Sequence, residues 1–147
     1  MKGEPIRILL VEDNADHAEL VRRSLADHRV ANRITHLSDG AAALDYLHNR
    51  GDYADAEKNP RPHIVLLDLR LPKIDGLEVL RVLKQDQRLA AIPVIILTTS
   101  EADADIAQAY GNHANSYLVK PVGFEKLKSM MQDFGFYWLG WNTHPEL

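Results

Sequence analysis

Ile64-Val65-Leu66-Leu67-Asp68 is the stretch that most restricts what this chain can fold into. Four consecutive apolar residues, two of them β-branched, run straight into a carboxylate. Arg70-Leu71-Pro72-Lys73-Ile74-Asp75-Gly76 then turns the chain toward a helix. A short apolar run without alternation, bounded by a Pro/Gly turn, is the pattern of a strand buried on both faces, as in the middle of a parallel sheet. Asp68 then stands at the carboxyl end of a central strand, the edge at which open α/β sheets bind their ligands.

The rest of the chain repeats strand-then-helix units around that stretch. Ile6–Val11 is β-rich and ends in Glu12-Asp13-Asn14-Ala15-Asp16, where Asn14 or Asp16 can cap a helix. From Asp16 to about His28, Leu20, Val21 and Leu25 recur at helical spacing. Arg33–Leu37 alternates polar and apolar, as a half-buried edge strand does, and Ser38-Asp39-Gly40 opens a helix carrying Ala43, Leu44 and Leu47. Residues 50–61 are polar and without periodicity, which predicts a loop longer than the usual two to six residues between such elements. A helix from about Gly76 to Asp86 follows the central strand, with Leu77, Leu80 and Leu83 on one face. Val94–Leu97 is a second wholly apolar strand, ended by Thr98-Thr99-Ser100. Glu101 to about Tyr110 reads as a helix with Ser100 as its natural cap. Ser116–Val119 is the fifth strand and terminates at Lys120-Pro121. The last helix starts near Phe124, with Leu127, Met131 and Phe134 on one side.

Five such units predict an α/β, doubly wound, mostly parallel sheet with five helices. The first, third and fourth strands are the most apolar and belong in the middle; the second, the most polar, belongs at an edge. That ranking fits the flavodoxin-like order 2-1-3-4-5, whose ligand crevice opens between strands 1 and 3. Glu12, Asp13, Asp68, Thr98 and Lys120 then share one rim.

Bulk composition excludes several other kinds of protein. The 147 residues make one domain's worth of chain, 46% hydrophobic and 26% charged. Seventeen Lys+Arg against 21 Asp+Glu give a net charge of −4, so no nucleic-acid partner is expected. Without cysteine there is no disulfide or thiol chemistry, and the seven histidines show no metal-finger spacing. No apolar run approaches the ~20 residues that span a bilayer, and Met1–Pro5 lacks a signal-peptide core, so the expectation is a cytoplasmic protein without a membrane partner.

Three carboxylates at one strand edge repel one another and call for a cation. An all-oxygen donor set suits Mg²⁺, or another hard divalent ion such as Mn²⁺ or Ca²⁺. Lys120 is a point charge for a carboxylate or a phosphoryl oxygen, and Thr98 offers a hydroxyl. A carboxylate nucleophile, a divalent ion, a hydroxyl and an ammonium are sufficient parts for phosphoryl transfer. Taken singly, each has a plainer role: Asp68 as a turn former, Glu12-Asp13 as a helix cap, Thr98 as a strand-end hydroxyl, Lys120 as a solvated lysine. Their convergence on one rim is what favours chemistry.

With those residues in view, the chain from Ile6 to about Phe134 resembles a receiver domain of a two-component response regulator. The matching set is ordered: Glu12-Asp13, Asp68 in LLDLRLPKIDG, Thr98 after IILT, and Lys120-Pro121 after YLVKP. The resemblance implies that Asp68 accepts a phosphoryl group from a sensor histidine kinase. It implies that Asp13, Asp68 and the carbonyl of Arg70 hold Mg²⁺, with Glu12 reaching the ion through water. Lys120 would pair with the phosphoryl group and Thr98 would move to hydrogen-bond it. Tyr117 matches the switch aromatic that turns inward with Thr98, and the bond before Pro121 would be cis. Arg70 and Ser100 sit where the family tunes its dephosphorylation rate. Glu12 departs from the commoner Asp in the acidic pair, a frequent variant. Such a protein is a phosphoacceptor for signalling, not an enzyme, though self-phosphorylation from small donors and self-dephosphorylation are expected of it.

Two other readings share the edge carboxylate. A haloacid-dehalogenase-like phosphatase carries a second Asp two residues after its nucleophile, where this chain has Arg70. An FMN-binding flavodoxin-like protein needs a Gly/Ser/Thr-rich phosphate loop after strand 1, where Glu12-Asp13 would repel phosphate. A receiver that has lost phosphorylation is disfavoured because the key residues are present.

Little chain follows the last helix, so the whole of 1–147 is expected to be a single receiver: a core of about 6–134, a 50–61 insertion and a 135–147 aromatic extension. Half of the chain's aromatic residues (Phe134, Phe136, Tyr137, Trp138 and Trp141) fall in eight residues near the carboxyl end. Phe134 is expected in the core. Phe136, Tyr137, Trp138 and Trp141 are interface candidates, with cover for the domain's own core as the alternative. The long loop and the extension together resemble the response regulators that partner cyanobacterial phytochrome kinases. That resemblance implies a light-regulated kinase and a homodimer; the face of the fourth helix, fifth strand, last helix and tail is the surface we expect to form it. The downstream protein target is not legible in the sequence.

Overall fold

The computed structural model describes residues 5–28, 30–143 and 145; residues 144, 146 and 147 of the aromatic extension lie outside them. Five parallel strands form one sheet in the order β2-β1-β3-β4-β5: β1 (Ile6–Val11), β2 (Asn32–Leu37), β3 (Ile64–Leu67), β4 (Val94–Thr98) and β5 (Ser116–Val119). The order 2-1-3-4-5 is the flavodoxin-like arrangement expected from the apolar ranking of the strands. Every residue of β3 and β4 is buried, whereas β2 and β5, at the edges, are mostly half-buried.

The two-residue period of a strand divides the core into two layers. Val65 and Leu67 of β3 join Leu9, Val11, Val94 and Ile96 on one face. There α2 (Gly40–Leu47) and α3 (Gly76–Gln85) cover them with Leu44, Leu47, Leu80 and Leu83. Ile64 and Leu66 join Ile8, Leu10, Ile95 and Leu97 on the other face. That side is covered by α1 (Ala15–Ala26) through Val21 and Leu25, and by α5 (Phe124–Gly135) through Leu127, Met131 and Phe134. Burying a leucine such as Leu66 contributes about 2 kcal/mol, so a wholly apolar β3 is held firmly in register. Because all strands are parallel, Val11, Leu67, Thr98 and Val119 end at the same edge of the sheet.

The helix starts follow local side-chain chemistry. Asn14, of the two candidate caps, accepts from the amides of Asp16 and His17 and starts α1. Asp39 accepts from the Ala42 amide at 2.7 Å and starts α2. The fourth helix, α4 (Asp103–Gly111), begins later than expected, with Ala102 rather than Ser100 at its cap. Ser100 lies just ahead of the helix, where its hydroxyl accepts from the Ala102 amide at 3.3 Å and donates to Asp105 at 2.6 Å. Only Ala109 of α4 is buried, which makes it the least anchored of the five helices.

The 50–61 segment is a loop, but a strapped one. It contains a 3₁₀ turn, Gly51–Tyr53, and Asn49 before it takes a left-handed conformation (φ 51°). Asn49 donates its side-chain amide to the carbonyls of both Tyr53 and Asn59, and the Tyr46 hydroxyl donates to Pro60.

One expectation for the carboxyl-terminal part is corrected. The peptide bond before Pro121 is trans, as are all others among the described residues. The preference between isomers at proline is under about 1 kcal/mol, so the surroundings decide it; here the Lys120 amide is tied to the Thr98 carbonyl at 2.6 Å as the chain leaves β5. In the aromatic extension α5 runs on into a π-helical segment, Phe136–Trp141. Trp138 stacks on Phe134 (ring centroids 6.4 Å apart, planes at 29°) and packs on the α1–α5 layer. Trp138 thus covers the core, while Phe136, Tyr137 and Trp141 remain exposed.

Candidate phosphoacceptor site

Asp68 is placed by backbone contacts on both sides of it. Its amide donates to the Val11 carbonyl at 3.1 Å, continuing the β1–β3 ladder by one residue. Beyond it the chain folds back so closely that a Cβ on Gly76 would lie 2.1 Å from the Asp68 carbonyl oxygen. The Gly76 amide closes this turn on the Leu69 carbonyl at 2.8 Å. Only glycine fits there, which explains the G of the LPKIDG turn. Gly40 holds the same turn from α2: its amide donates to Pro72, and a Cβ would clash with the Ile74 carbonyl at 1.9 Å.

Around Asp68 the structure assembles the residues singled out by sequence. Glu12, Asp68, Thr98 and Lys120 are all buried, whereas Asp13 is exposed. Carboxylate oxygens of Glu12, Asp13 and Asp68 lie within 4.8 Å of one another. Lys120 reaches in from the end of β5 and donates through Nζ to Asp68 Oδ2 at 3.3 Å and, more closely, to Glu12 Oε1. The other Glu12 oxygen accepts from the Asn14 amide at 3.0 Å. Asp68 Oδ1 accepts from the Arg70 amide at 3.3 Å, and Thr98 Oγ1 from the Ser100 amide at 3.4 Å. Tyr117 is half-buried, and its hydroxyl donates to the Ser100 carbonyl at 3.0 Å.

The electrostatics follow from burial. Taking Glu12 out of water pushes its carboxyl up to about 7, and the negative charge of Asp68 adds to this against the pull of Lys120. The cluster is therefore short of positive charge even with its lysine. An all-oxygen set of three carboxylates fits a hard divalent ion such as Mg²⁺ or Mn²⁺, which supplies the missing charge.

Three contributors were not legible beforehand. His17 Nδ1 accepts from Lys120 Nζ at 3.1 Å, and burial together with that ammonium holds the imidazole below its usual range and neutral. His36 Nε2 donates to the Glu12 carbonyl at 2.8 Å. Asp105, in the first turn of α4, accepts from both the Arg70 guanidinium and the Ser100 hydroxyl. The capping preference of Asn14 fixes the helical phase of α1 and could have indicated that His17, in its first turn, faces the rim. Nothing in the pattern marked Asp105.

Comparison with known proteins gives the same account. The model of the response regulator receiver domain matches residues 8–132. The probable methanogenesis regulatory protein FilR2 of Methanothrix harundinacea is 51% identical over 97% of this chain and 89% of its own length. Response regulator Rcp1 of Synechocystis sp. is 41% identical over 96% of this chain and 94% of its own. The Mn²⁺-bound structure of Rcp1 superposes with a TM-score of 0.92, covering 97% of this chain and 100% of that one, at 41% identity. The phosphorylated cyanobacterial phytochrome response regulator RcpA does so with the same TM-score and the same coverage, at 38% identity. The phosphatase and flavin-binding readings find no support beside these matches. The chain belongs to the response regulator receiver domain family, the signalling proteins of two-component systems.

Proposed function

We propose that Asp68 accepts a phosphoryl group from the phosphohistidine of a sensor kinase. The observation that carries this is the convergence on Asp68 of a buried lysine at 3.3 Å, a fully buried threonine and two further acids. A carboxylate oxygen of Asp68 attacks phosphorus, the bond from phosphorus to the kinase imidazole breaks, and its electron pair returns to that nitrogen. Lys120, already on Asp68 Oδ2, follows the incoming charge onto a phosphoryl oxygen. Asp13, Asp68 and the Arg70 carbonyl would hold Mg²⁺, with Glu12 outside them, and the ion would neutralise charge on the transferring group. Thr98, at the end of β4, would turn its hydroxyl toward the same oxygens. Tyr117, tied to Ser100, would carry that shift to the α4–β5 face. Arg70 and Ser100 tune the rate at which the phosphoryl group is lost, and small phosphodonors can replace the kinase.

The test is incubation with Mg²⁺ and acetyl phosphate followed by intact mass. One phosphoryl mass on the wild type and none on Asp68→Asn is the expected result; an unlabelled wild type, or equal labelling of the variant, ends this reading.

The chain works as a single receiver in the cytoplasm, a reading supported by its coverage of 89% and 94% of its relatives' length. Among the described residues no helix is long and apolar enough to cross a membrane. The partner kinase is a phytochrome-type photoreceptor, supported by the name and fold of RcpA. The higher identity to FilR2, whose name carries no photoreceptor, favours a second reading in which the kinase senses something other than light. Phosphotransfer from a purified phytochrome kinase separates the two.

Output passes through a homodimer formed on α4, β5, α5 and the π-helical segment. Tyr137 (59% exposed) lines a groove of about 280 Å³ with Trp138, Leu118 and Met130, and Trp141 is 82% exposed in the same π-helical segment. A sedimentation coefficient left unchanged by Tyr137→Ala with Trp141→Ala would remove the tail from that interface.

A further inference from the structure

The Arg70–Asp105–Ser100 contact lies outside the metal and phosphoryl ligands, yet it touches the machinery at both ends. Asp105 Oδ2 accepts from the Arg70 guanidinium and, at 2.6 Å, from the Ser100 hydroxyl. The Arg70 amide donates to Asp68 Oδ1, and the Ser100 amide donates to Thr98 Oγ1. One carboxylate on α4 thus bridges a hydrogen-bonded chain that runs from the phosphoacceptor to the switch hydroxyl. Both bonds hold the Asp105 carboxyl below the usual carboxylate range, that from Ser100 first, so it is an anion at neutral pH.

We propose that Asp105 is a positioning residue that sets the lifetime of the phosphorylated state, by holding the Arg70 guanidinium off the phosphoryl group. The inference rests on the reading of Asp68 as phosphoacceptor. Hydrolysis begins when a water oxygen attacks phosphorus. The bond from phosphorus to the Asp68 carboxyl oxygen breaks, and its electron pair restores the carboxylate. Inorganic phosphate leaves, and the water proton passes to phosphate or solvent. A guanidinium free to pair with the phosphoryl oxygens covers the face from which water arrives. Arg70 stands two residues from Asp68, its amide already on that side chain, so its reach is not in question. What decides its position is competition between two anions, Asp105 and the phosphoryl group. The Arg70 side chain is 58% exposed, so the existing pair is weak enough for that competition to be close. Asp105 wins part of it and leaves the phosphoryl group open to water. Its second bond, to Ser100, anchors the carboxylate against following the guanidinium inward.

The experiment measures the half-life of the phosphoryl group by intact mass, after labelling with acetyl phosphate and Mg²⁺ and removal of the donor. Asp105→Asn, nearly isosteric, should lengthen it about threefold or more, the factor expected of a charge pair whose guanidinium is exposed. Asp105→Glu, which restores charge and acceptor, should return it toward the wild-type value. Arg70→Ala with Asp105→Asn should show the same half-life as Arg70→Ala alone, because the effect runs through the guanidinium. An unchanged or shortened half-life in Asp105→Asn, or the same lengthening when Arg70 is absent, overturns the proposal. A wild type that takes no label overturns the phosphoacceptor reading beneath it, an outcome distinct from equal half-lives in labelled proteins.

Discussion

Asp68 has two flanks, and they are built on opposite terms. On one side Glu12 and Lys120 meet with both side chains only 2% exposed, each having given up its hydration. On the other, Arg70 keeps its side chain 58% exposed where it meets Asp105, itself 13% exposed, so the guanidinium half of this pair stays in water. A buried pair costs much to form and more to break by halves, because the survivor is left charged in a poor dielectric. An exposed pair costs little either way. The difference teaches a division of labour: the buried flank fixes where charge must be, and the exposed flank can exchange partners without disturbing the fold.

The sharpest way to break that comparison is to remove one member of each pair. Lys120→Met leaves Glu12 and Asp68 facing each other without their cation, and we expect a loss of about 3 kcal/mol in urea unfolding at pH 8. Gly76→Ala comes next, since its new Cβ would lie 2.1 Å from a backbone oxygen; a loss of about 2 kcal/mol should accompany a fall in labelling of Asp68. The third outcome concerns pH in the presence of a chelator. The Glu12 carboxyl ionises near 7 in the folded protein against 4.5 as the ordinary value, so the folded state binds its proton more tightly than the unfolded. Stability is then full below pH 4.5 as far as this group is concerned, and falls as pH rises through about 7. A drop on the order of 1 to 2 kcal/mol is expected, and Glu12→Gln should flatten it. Smallest of all, Arg70→Ala should change stability by no more than about 0.5 kcal/mol. If Arg70→Ala cost as much as Lys120→Met, the contrast between the flanks would be false.

The sheet and most of the site were legible because they depend on properties that survive in a linear string. Four apolar residues in a row can only be central, and an acid at their end can only lie at the ligand edge; Asp68, Glu12 and Lys120 followed from that. What escaped depends on rotamers and helical phase. Asp105 is one of several acids at the start of α4 and differs from Asp103 only in the direction its side chain takes. Ser100 looked like a cap because serines before helices are, and its hydroxyl does accept the Ala102 amide, but the helix begins only at Asp103 and the same hydroxyl donates to Asp105. The isomer at Pro121 turns on less energy than sequence patterns resolve. Trp138 and Trp141, three residues apart in a segment wound wider than an α-helix, divide between core and surface in a way that a 3.6-residue period could not have sorted.

The straps on the 50–61 loop have a consequence for how this chain can change. Asn49 and Tyr46 fix the two ends of the loop close together through Asn59 and Pro60, while residues 54–58 between them are exposed. Closing a loop whose ends are already pinned grows costlier only with the logarithm of its length, about 0.6 kcal/mol for each doubling. Residues could be added at the tip, or a reporter fused there, at almost no thermodynamic penalty and without disturbing the rim on which Asp68 sits.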